Sequence, residues 1–282
     1  MKSRFWMWLG LPAFFWLAIF VVAPFLIVLA VSFFSRGTYG GISWVFTWQN
    51  YLRIFNPIYL EIFYSSIFLS LVTTVICLVL SYPVAWALAT TPQPLRNRLV
   101  LLLAIPFLTN LITRIYAIKL FTSMDGPLQK WLTWFGVGFD PFLISQNQTL
   151  VLYGMVTTYM PFMVFPIYVA LEKFDFSLVE AAQDLGASSL SIFFKVILPG
   201  TQMAALSGIA LVFVPCIGEF VIPDLLGGAK NMLAGNLITE QFLKARDWPF
   251  GASLAVTLVI ILFAFPQFLK WLLVKRESSQ NL

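Results

Sequence analysis

Histidine is absent from all 282 residues. That excludes the H-E-x-x-H zinc sites and every nucleophile that a histidine would activate. With no other nucleophile beside a plausible base, an intramembrane enzyme is disfavoured. Cysteine occurs only as Cys77 and Cys216. Both lie inside apolar runs and read as small hydrophobes, not as a disulfide or a metal site. Charge is scarce too: 10% of residues are charged, against about 25% in soluble domains. Lys and Arg never form a block of five, so the net charge of +5 fits basic residues flanking apolar spans better than a nucleic-acid partner. Finally, no G-x-x-x-x-G-K-[ST] loop is present. "LLGGAKNM" is glycine-rich but lacks the spacing, so the chain has no nucleotide site of its own and calls for no cofactor.

What the sequence has in abundance is apolar length. Hydrophobic residues make up 60% of it, and the mean hydropathy is +0.88. Long unbroken runs imply an all-α integral membrane protein, because only helices and closed barrels satisfy the backbone inside a bilayer. Six runs stand out, near 9–34, 62–89, 99–121, 150–171, 203–223 and 251–273. Each exceeds the roughly 20 residues that cross a bilayer core. The whole chain, 1–282, reads as a single transmembrane domain. Lys2 and Arg4 open it like a signal peptide. The apolar stretch then continues about twice as long as a signal core, and reads as a retained first span.

Six spans place both termini on one side. If that side is cytoplasmic, the inner segments carry nine basic residues, namely Lys2, Arg4, Arg96, Arg98, Lys173, Lys195, Lys270, Lys275 and Arg276. The longer outer loops carry six, namely Arg36, Arg53, Lys130, Lys230, Lys244 and Arg246. The bias favours N-in and C-in. Every run contains proline: Pro24, Pro83, Pro106, Pro161 with Pro166, Pro215, and Pro266. Such residues kink helices where a cavity is lined, or reflect ordinary membrane-helix composition. No internal repeat relates the two halves, which weakens an inverted-repeat transporter.

Between the fourth and fifth runs lies "SLVEAAQDLGASSLSIFFKVILPG". Ser177 and Glu180 have the spacing of a capping box. Leu178, Ala181, Ala182 and Leu185 follow at i, i+3, i+4 and i+7, one apolar face. Gly186 supplies the left-handed turn that ends a helix. A second stripe, Leu190, Phe193, Phe194 and Ile197, is closed by Pro199. A helix of about eight residues is not stable alone. It must dock on a partner, on its own spans, or on the membrane interface.

"EAAQDLG" followed by "FFKVILP" resembles the EAA loop of ABC importer permeases. The match comprises Glu180, Ala181, Ala182, Gly186, Leu198 and Pro199, with Val196 where the family prefers isoleucine. "PFLTNLITRIYAIK", "MPFMVFPIYVALEKFD" and "LLGGAKNMLAGNLITEQFLKARDWPFGASLA" look like the spermidine/putrescine permeases, most of all their B-type subunit. This resemblance covers nearly everything from Tyr51 onward. It implies a type I ABC importer permease fold with six helices and a cytoplasmic coupling helix, in the bacterial inner membrane with both termini cytoplasmic. Glu180, Ala181, Ala182, Asp184, Leu185 and Gly186 would then contact cytoplasmic ATP-binding subunits. A second homologous permease subunit, a periplasmic polyamine-binding protein and membrane lipid complete the implied partners, and no nucleic acid is among them.

A polyamine is a chain of ammonium groups, which attract carboxylates, carbonyls and aromatic faces. Glu219, inside the fifth run, is a pathway candidate because intramembrane carboxylates are costly. Asp224 at the outer end of that run and Asp125 beyond the third are further candidates. Trp44 and Trp48, beside Tyr39 and Tyr51, are either pathway aromatics or an interfacial belt. Arg114 and Lys119 run against a cationic path. Arg114 is expected to pair with Glu219 or to cap the carbonyls of a broken helix. The EAA spacing does not select a solute, so a permease for another small solute remains open, and an ion-coupled secondary transporter is the less favoured reading.

Overall fold

The structure, a computed structural model, describes Pro12 and residues 14–123, 125–136, 147–228 and 232–280. For residues 107 and 265–280 it describes the backbone alone. Lys2, Arg4 and Lys230 lie outside the described residues, as do the side chains of Lys270, Lys275 and Arg276. The elements are a π turn, Ala18–Val22, leading into α1, Ala23–Val31; the strands β1, Phe34–Arg36, and β2, Ile42–Phe46; α2, Gln49–Ile54; and α3, Pro57–Thr90. Next come α4, Gln93–Leu108; α5, Leu111–Phe121; α6, Pro127–Trp134; α7, Gln148–Glu172; and α8, Ser177–Asp184. The last are α9, Ser189–Ile192, a second π turn, Phe193–Ile197, then α10, Leu198–Ile217; α11, Val221–Leu226; α12, Ala234–Leu243; and α13, Trp248–Gln280.

The apolar runs become helices. Among the described residues, four are long and apolar enough to cross a membrane: Phe14–Val31, Pro57–Thr90, Gln148–Glu172 and Ser189–Ile217. A fifth would be the pair Gln93–Pro106 and Leu111–Phe121, and Trp248–Ala264 is a shorter apolar segment. The run at 99–121 is therefore not one straight span, because its halves are bent by 83°. Thr109 and Asn110 adopt extended backbone. Asn110 then restarts the helix by accepting the Ile112 N–H at 2.8 Å, as an N-cap does. The run at 203–223 also breaks, after Ile217, and restarts as α11.

Pro199 does not close a second short helix. Segment Ser189–Ile217 runs on through it as one candidate span. Just ahead of it the chain widens into the π turn, where Leu198 N–H reaches back to Phe193 O. A proline ring clashes with the carbonyl four residues back, and a widened turn relieves that clash. The same device precedes Pro24, with Ala23 N–H reaching Ala18 O.

The described residues divide into two compact units. The one spanning Tyr64–Leu233 holds the buried cluster of Ile115, Met155, Met163, Ile167, Leu171, Val212, Ile222 and Leu226. Cys77 and Cys216 are buried, unpaired members of it. Within a bilayer, lipid is as apolar as leucine, so close approach rather than burial drives helix association. Gly208 of α10 provides it: a Cβ there would lie 2.6 Å from Met163 Sδ of α7. Gly154 of α7 does the same toward α11, where a Cβ would lie 2.7 Å from Leu226 Cδ1.

The other unit combines residues up to Phe63 with those from Ala234. Its hairpin pairs β1 antiparallel to β2 in the register Ser35 opposite Ser43. Rings of Phe33, Phe46, Trp48 and Tyr51 pack together beside it, and Trp44 sits edge-on to Phe34. Arg36 donates to Ala245 O at 2.8 Å, tying the hairpin to the α12–α13 turn. In that turn Asp247 accepts from Arg53 at 2.9 Å and from Phe250 N–H at 3.2 Å. Arg53 also lies 3.9 Å above the Phe250 ring. Asp247→Ala removes an N-cap and a charge-assisted bond together. A loss of about 2–3 kcal/mol is expected, and Asp247→Asn, which keeps a cap acceptor, should cost less. Thermal unfolding in mild detergent checks both.

Candidate functional site

The segment after α7 is built from short-range bonds. Asp175 Oδ1 accepts the Ser177 N–H at 3.0 Å. Bonds from the Ser177 hydroxyl and N–H hold the Asp175 carboxyl below its usual range. Because the folded value is lowered, this anchor is present at neutral pH and is lost only as pH falls through that lowered value. The capping box expected from Ser177 and Glu180 is not what starts α8. The carboxylate two residues earlier takes that role, and Glu180 N–H bonds Phe176 O. At the other end Gly186 has φ +76, and Ala187 N–H reaches Ala182 O at 3.0 Å, closing the helix as expected. A Cβ at Gly186 would meet nothing within 4 Å, so the demand for glycine is conformational.

The apolar face of α8 is offset from the expected one. Val179 is buried and Ala182 is packed against the core, while Leu178, Ala181 and Leu185 are exposed together with Glu180 and Asp184. The exposed 178–181–185 stripe is left unused by the chain's own helices. The second stripe is split likewise. Ile192 and Ile197 are buried and Phe193 is partly buried, but Leu190 and Phe194 face outward. The π turn adds a residue to that turn and rotates the stripe out of register.

Two aromatic residues one turn apart on α3 hold both ends of this segment. Trp86 stands edge-on to Phe176 at 5.3 Å, ahead of α8. Tyr82 stands edge-on to Phe193 at 5.1 Å and shares a 2.9 Å hydrogen bond with Thr201, beyond it. Phe174 fills the place where Gly200 has no side chain. Arg96 pairs with Glu172 at 3.4 Å just upstream. An open apolar groove of about 780 Å³, lined by Tyr82, Trp86, Val179, Phe193 and Phe194, lies between α3 and the segment. None of Tyr82, Trp86 or Asp175 stands out in the sequence. For the aromatics, their spacing of four on a helix that ends near the segment is the only clue.

Glu219 and Arg114 do not pair. Glu219 is 7% exposed, and its Oε1 accepts the N–H groups of Phe220, Val221 and Ile222 at 3.1, 2.9 and 3.4 Å. Its Oε2 accepts the Tyr159 hydroxyl at 2.5 Å. The carboxylate thus caps the first turn of α11 and ties it to α7, where negative charge at a helix start is favourable. Arg114 takes the other expected role. It donates to Pro106 O, freed by the bend, and to Thr109 Oγ1 at 3.0 Å. It also borders a cavity of about 780 Å³ with Tyr153 and Asn147. Asp224 is exposed in the first turn of α11. Asp125 is exposed between α5 and α6, in a small pocket with Gln129, Lys130, Thr133 and Trp134. Trp44 and Trp48 belong to the hairpin of the other unit. Tyr159 escapes sequence reading, although a tyrosine hydroxyl inside an apolar run needs a partner.

Residues 58–274 match the family described as the binding-protein-dependent transport system inner membrane component. The spermidine/putrescine transport system permease protein PotB of Escherichia coli (strain K12) is 44% identical over 247 residues, covering 88% of this chain and 90% of the relative. The protein of the same name from Haemophilus influenzae is 40% identical, covering 88% and 86%. In fold, the chain is similar to a bacterial ABC transporter involved in the import of the acidic polysaccharide alginate. That likeness has a TM-score of 0.73 and 15% identity, and covers 96% of both chains. The MetNI methionine ABC transporter aligns with a TM-score of 0.56 and 17% identity, covering 77% of this chain and 94% of that one.

The cap on α11 can be tested through stability. Tyr159→Phe leaves Glu219 Oε2 without its donor, at a cost of about 1–3 kcal/mol. Glu219→Ala strips the three N–H groups as well and should cost more. Combined with Glu219→Ala, the Tyr159→Phe change should add little, because the bond it removes is already gone. Unfolding curves of the three variants in detergent report the coupling, and strict additivity would refute it.

Proposed function

The chain belongs to the family of binding-protein-dependent transport system inner membrane components, and on that premise we propose that it is one of two permease subunits of an ATP-driven polyamine importer. It is a transport subunit with the fold of type I ABC importer permeases. For the cargo, the supporting observation is the 44% identity to PotB across 88% of the chain. The fold neighbours are an alginate importer and a methionine transporter, so the fold alone does not select a solute.

The remaining parts follow from that reading. The chain has no nucleotide-binding loop, so energy is supplied by ATP-binding subunits against which α8 presses. The exposed Leu178–Ala181–Leu185 stripe, flanked by Glu180 and Asp184, is the surface offered to them. Its exposure on a helix too short to stand alone supports a partner. Tyr82 and Trp86 make α3 a strut, so a displacement of α8 reaches α3 as well as α7 and α10. In this arrangement six spans run with both termini cytoplasmic, and a periplasmic binding protein delivers cargo to the opposite face. Asp125 and Asp224, both exposed at the ends of apolar segments, replace water around incoming ammonium groups. Arg114 is tethered at the bend by its bonds to Pro106 O and Thr109 Oγ1, which fix where its charge lies. Glu219 acts from behind by holding α11, and with it Asp224.

Two measurements test this in vesicles carrying the permeases, the ATPase and the binding protein. Gly186→Val meets no steric obstacle, yet it places a β-branched residue at positive φ, at a cost of about 1–2 kcal/mol. It should leave insertion intact and lower the spermidine transported per ATP, because a distorted α8 fits its partner less well. Unchanged coupling would exclude α8 as the contact. Asp125→Asn with Asp224→Asn should reduce ATP-dependent uptake of radiolabelled spermidine and putrescine several-fold, with basal ATP hydrolysis preserved. Absence of any uptake by the unmodified system would overturn the polyamine reading while leaving the family membership standing.

A further inference from the structure

Helix α6 has a pronounced division of faces that the transport reading does not use. Leu128, Trp131, Leu132 and Phe135 occupy one side, and Gln129, Lys130 and Thr133 the other, where Trp134 shares their pocket. Leu128 and Leu132 are partly buried against the rest of the unit. Trp131, Trp134 and Phe135 are 64%, 81% and 71% exposed. Eight residues, or about 12 Å of helix, cannot hold such a surface in water unaided.

The turn before α6 decides where this face points. Gly126 is buried, and its N–H bonds Ser123 O at 2.9 Å. A Cβ on it would stand 2.6 Å from the carbonyl oxygens of Leu120 and Phe121, so only glycine lets α6 fold back this tightly against the end of α5. As a result Trp131 meets Phe121 edge-on at 6.5 Å. The exposed face of α6 becomes continuous with exposed Tyr116, Leu120 and Phe121 on α5, a helix of an inner membrane component. Tryptophan and phenylalanine on one side with lysine on the other is the composition of a helix lying in the membrane boundary.

We propose that α6 is an interfacial helix, whose Trp131–Phe135 face lies at the headgroup–acyl boundary as an extension of the lipid-facing side of α5. Lys130 and Thr133 then face water, and Asp125 in the same pocket is held at the rim of the bilayer. Lipid is the occupant because the patch is an unbroken extension of a membrane helix and not an island within a polar surface.

Spin labels at Trp131→Cys, Phe135→Cys and Thr133→Cys, each alone, test this in the assembled transporter. The vesicles contain phosphatidylethanolamine and phosphatidylglycerol. Cys77 and Cys216 are both 0% exposed, so labelling is directed to the introduced thiol, and the unmodified chain serves as control. At 131 and 135, collisions with oxygen should exceed those with a water-soluble nickel chelate several-fold, and at 133 the order should reverse. Free access of the nickel chelate to 131 and 135 would show a water-exposed face. Exclusion of both agents would show a protein cover. Either result overturns the proposal, and the two hydrophobic positions give independent readings if one variant fails to assemble.

Discussion

Backbone groups cannot be left unsatisfied where water is excluded, and the design of this chain follows from how each break in its helices is repaired. At the bend after Pro106, Asn110 caps the restarting helix while Arg114 takes the freed Pro106 carbonyl. After Gly218, the Glu219 carboxylate satisfies three N–H groups in succession. Ahead of Pro24 and Pro199, widened turns spare the helix a clash. Two charged side chains that first suggest a path for cargo, Glu219 and Arg114, are thus engaged in holding the backbone together.

The same economy shapes the segment after α7. Its helix is short, started by Asp175 and stopped by Gly186, and held at both ends by Trp86 and Tyr82 from α3. A small rigid body fixed at two points and bare on its outer side transmits force well, because none of the displacement is lost in fraying. Phe174 against Gly200 adds a third fixed point, which couples the end of α7 to the start of α10. The proposed role in contacting an ATPase uses each of these features.

Much of the architecture was legible beforehand. Apolar length marks helices reliably, since a run that long has no other stable conformation in lipid. Gly186 was legible because a positive φ singles out one residue type. The docking face of α8 was not. A stripe at i, i+3, i+4 and i+7 identifies a face but not its neighbour, and the chain buries Val179 instead of Leu178. Nor was the start of α8, because Asp175 and Ser177 are both competent caps and the earlier, charged one prevailed.

The sequence by itself determined the class of molecule, the helical segments and the short glycine-terminated helix, all of which depend on composition and local spacing. Only the tertiary structure decided which acceptor each buried donor would use. Tyr159 meets Glu219 across 60 residues, and Tyr82 meets Thr201 across 119. Such choices depend on which helices approach closely. That approach is set by Gly154 and Gly208, where the space left by a missing side chain has meaning only once a neighbour fills it.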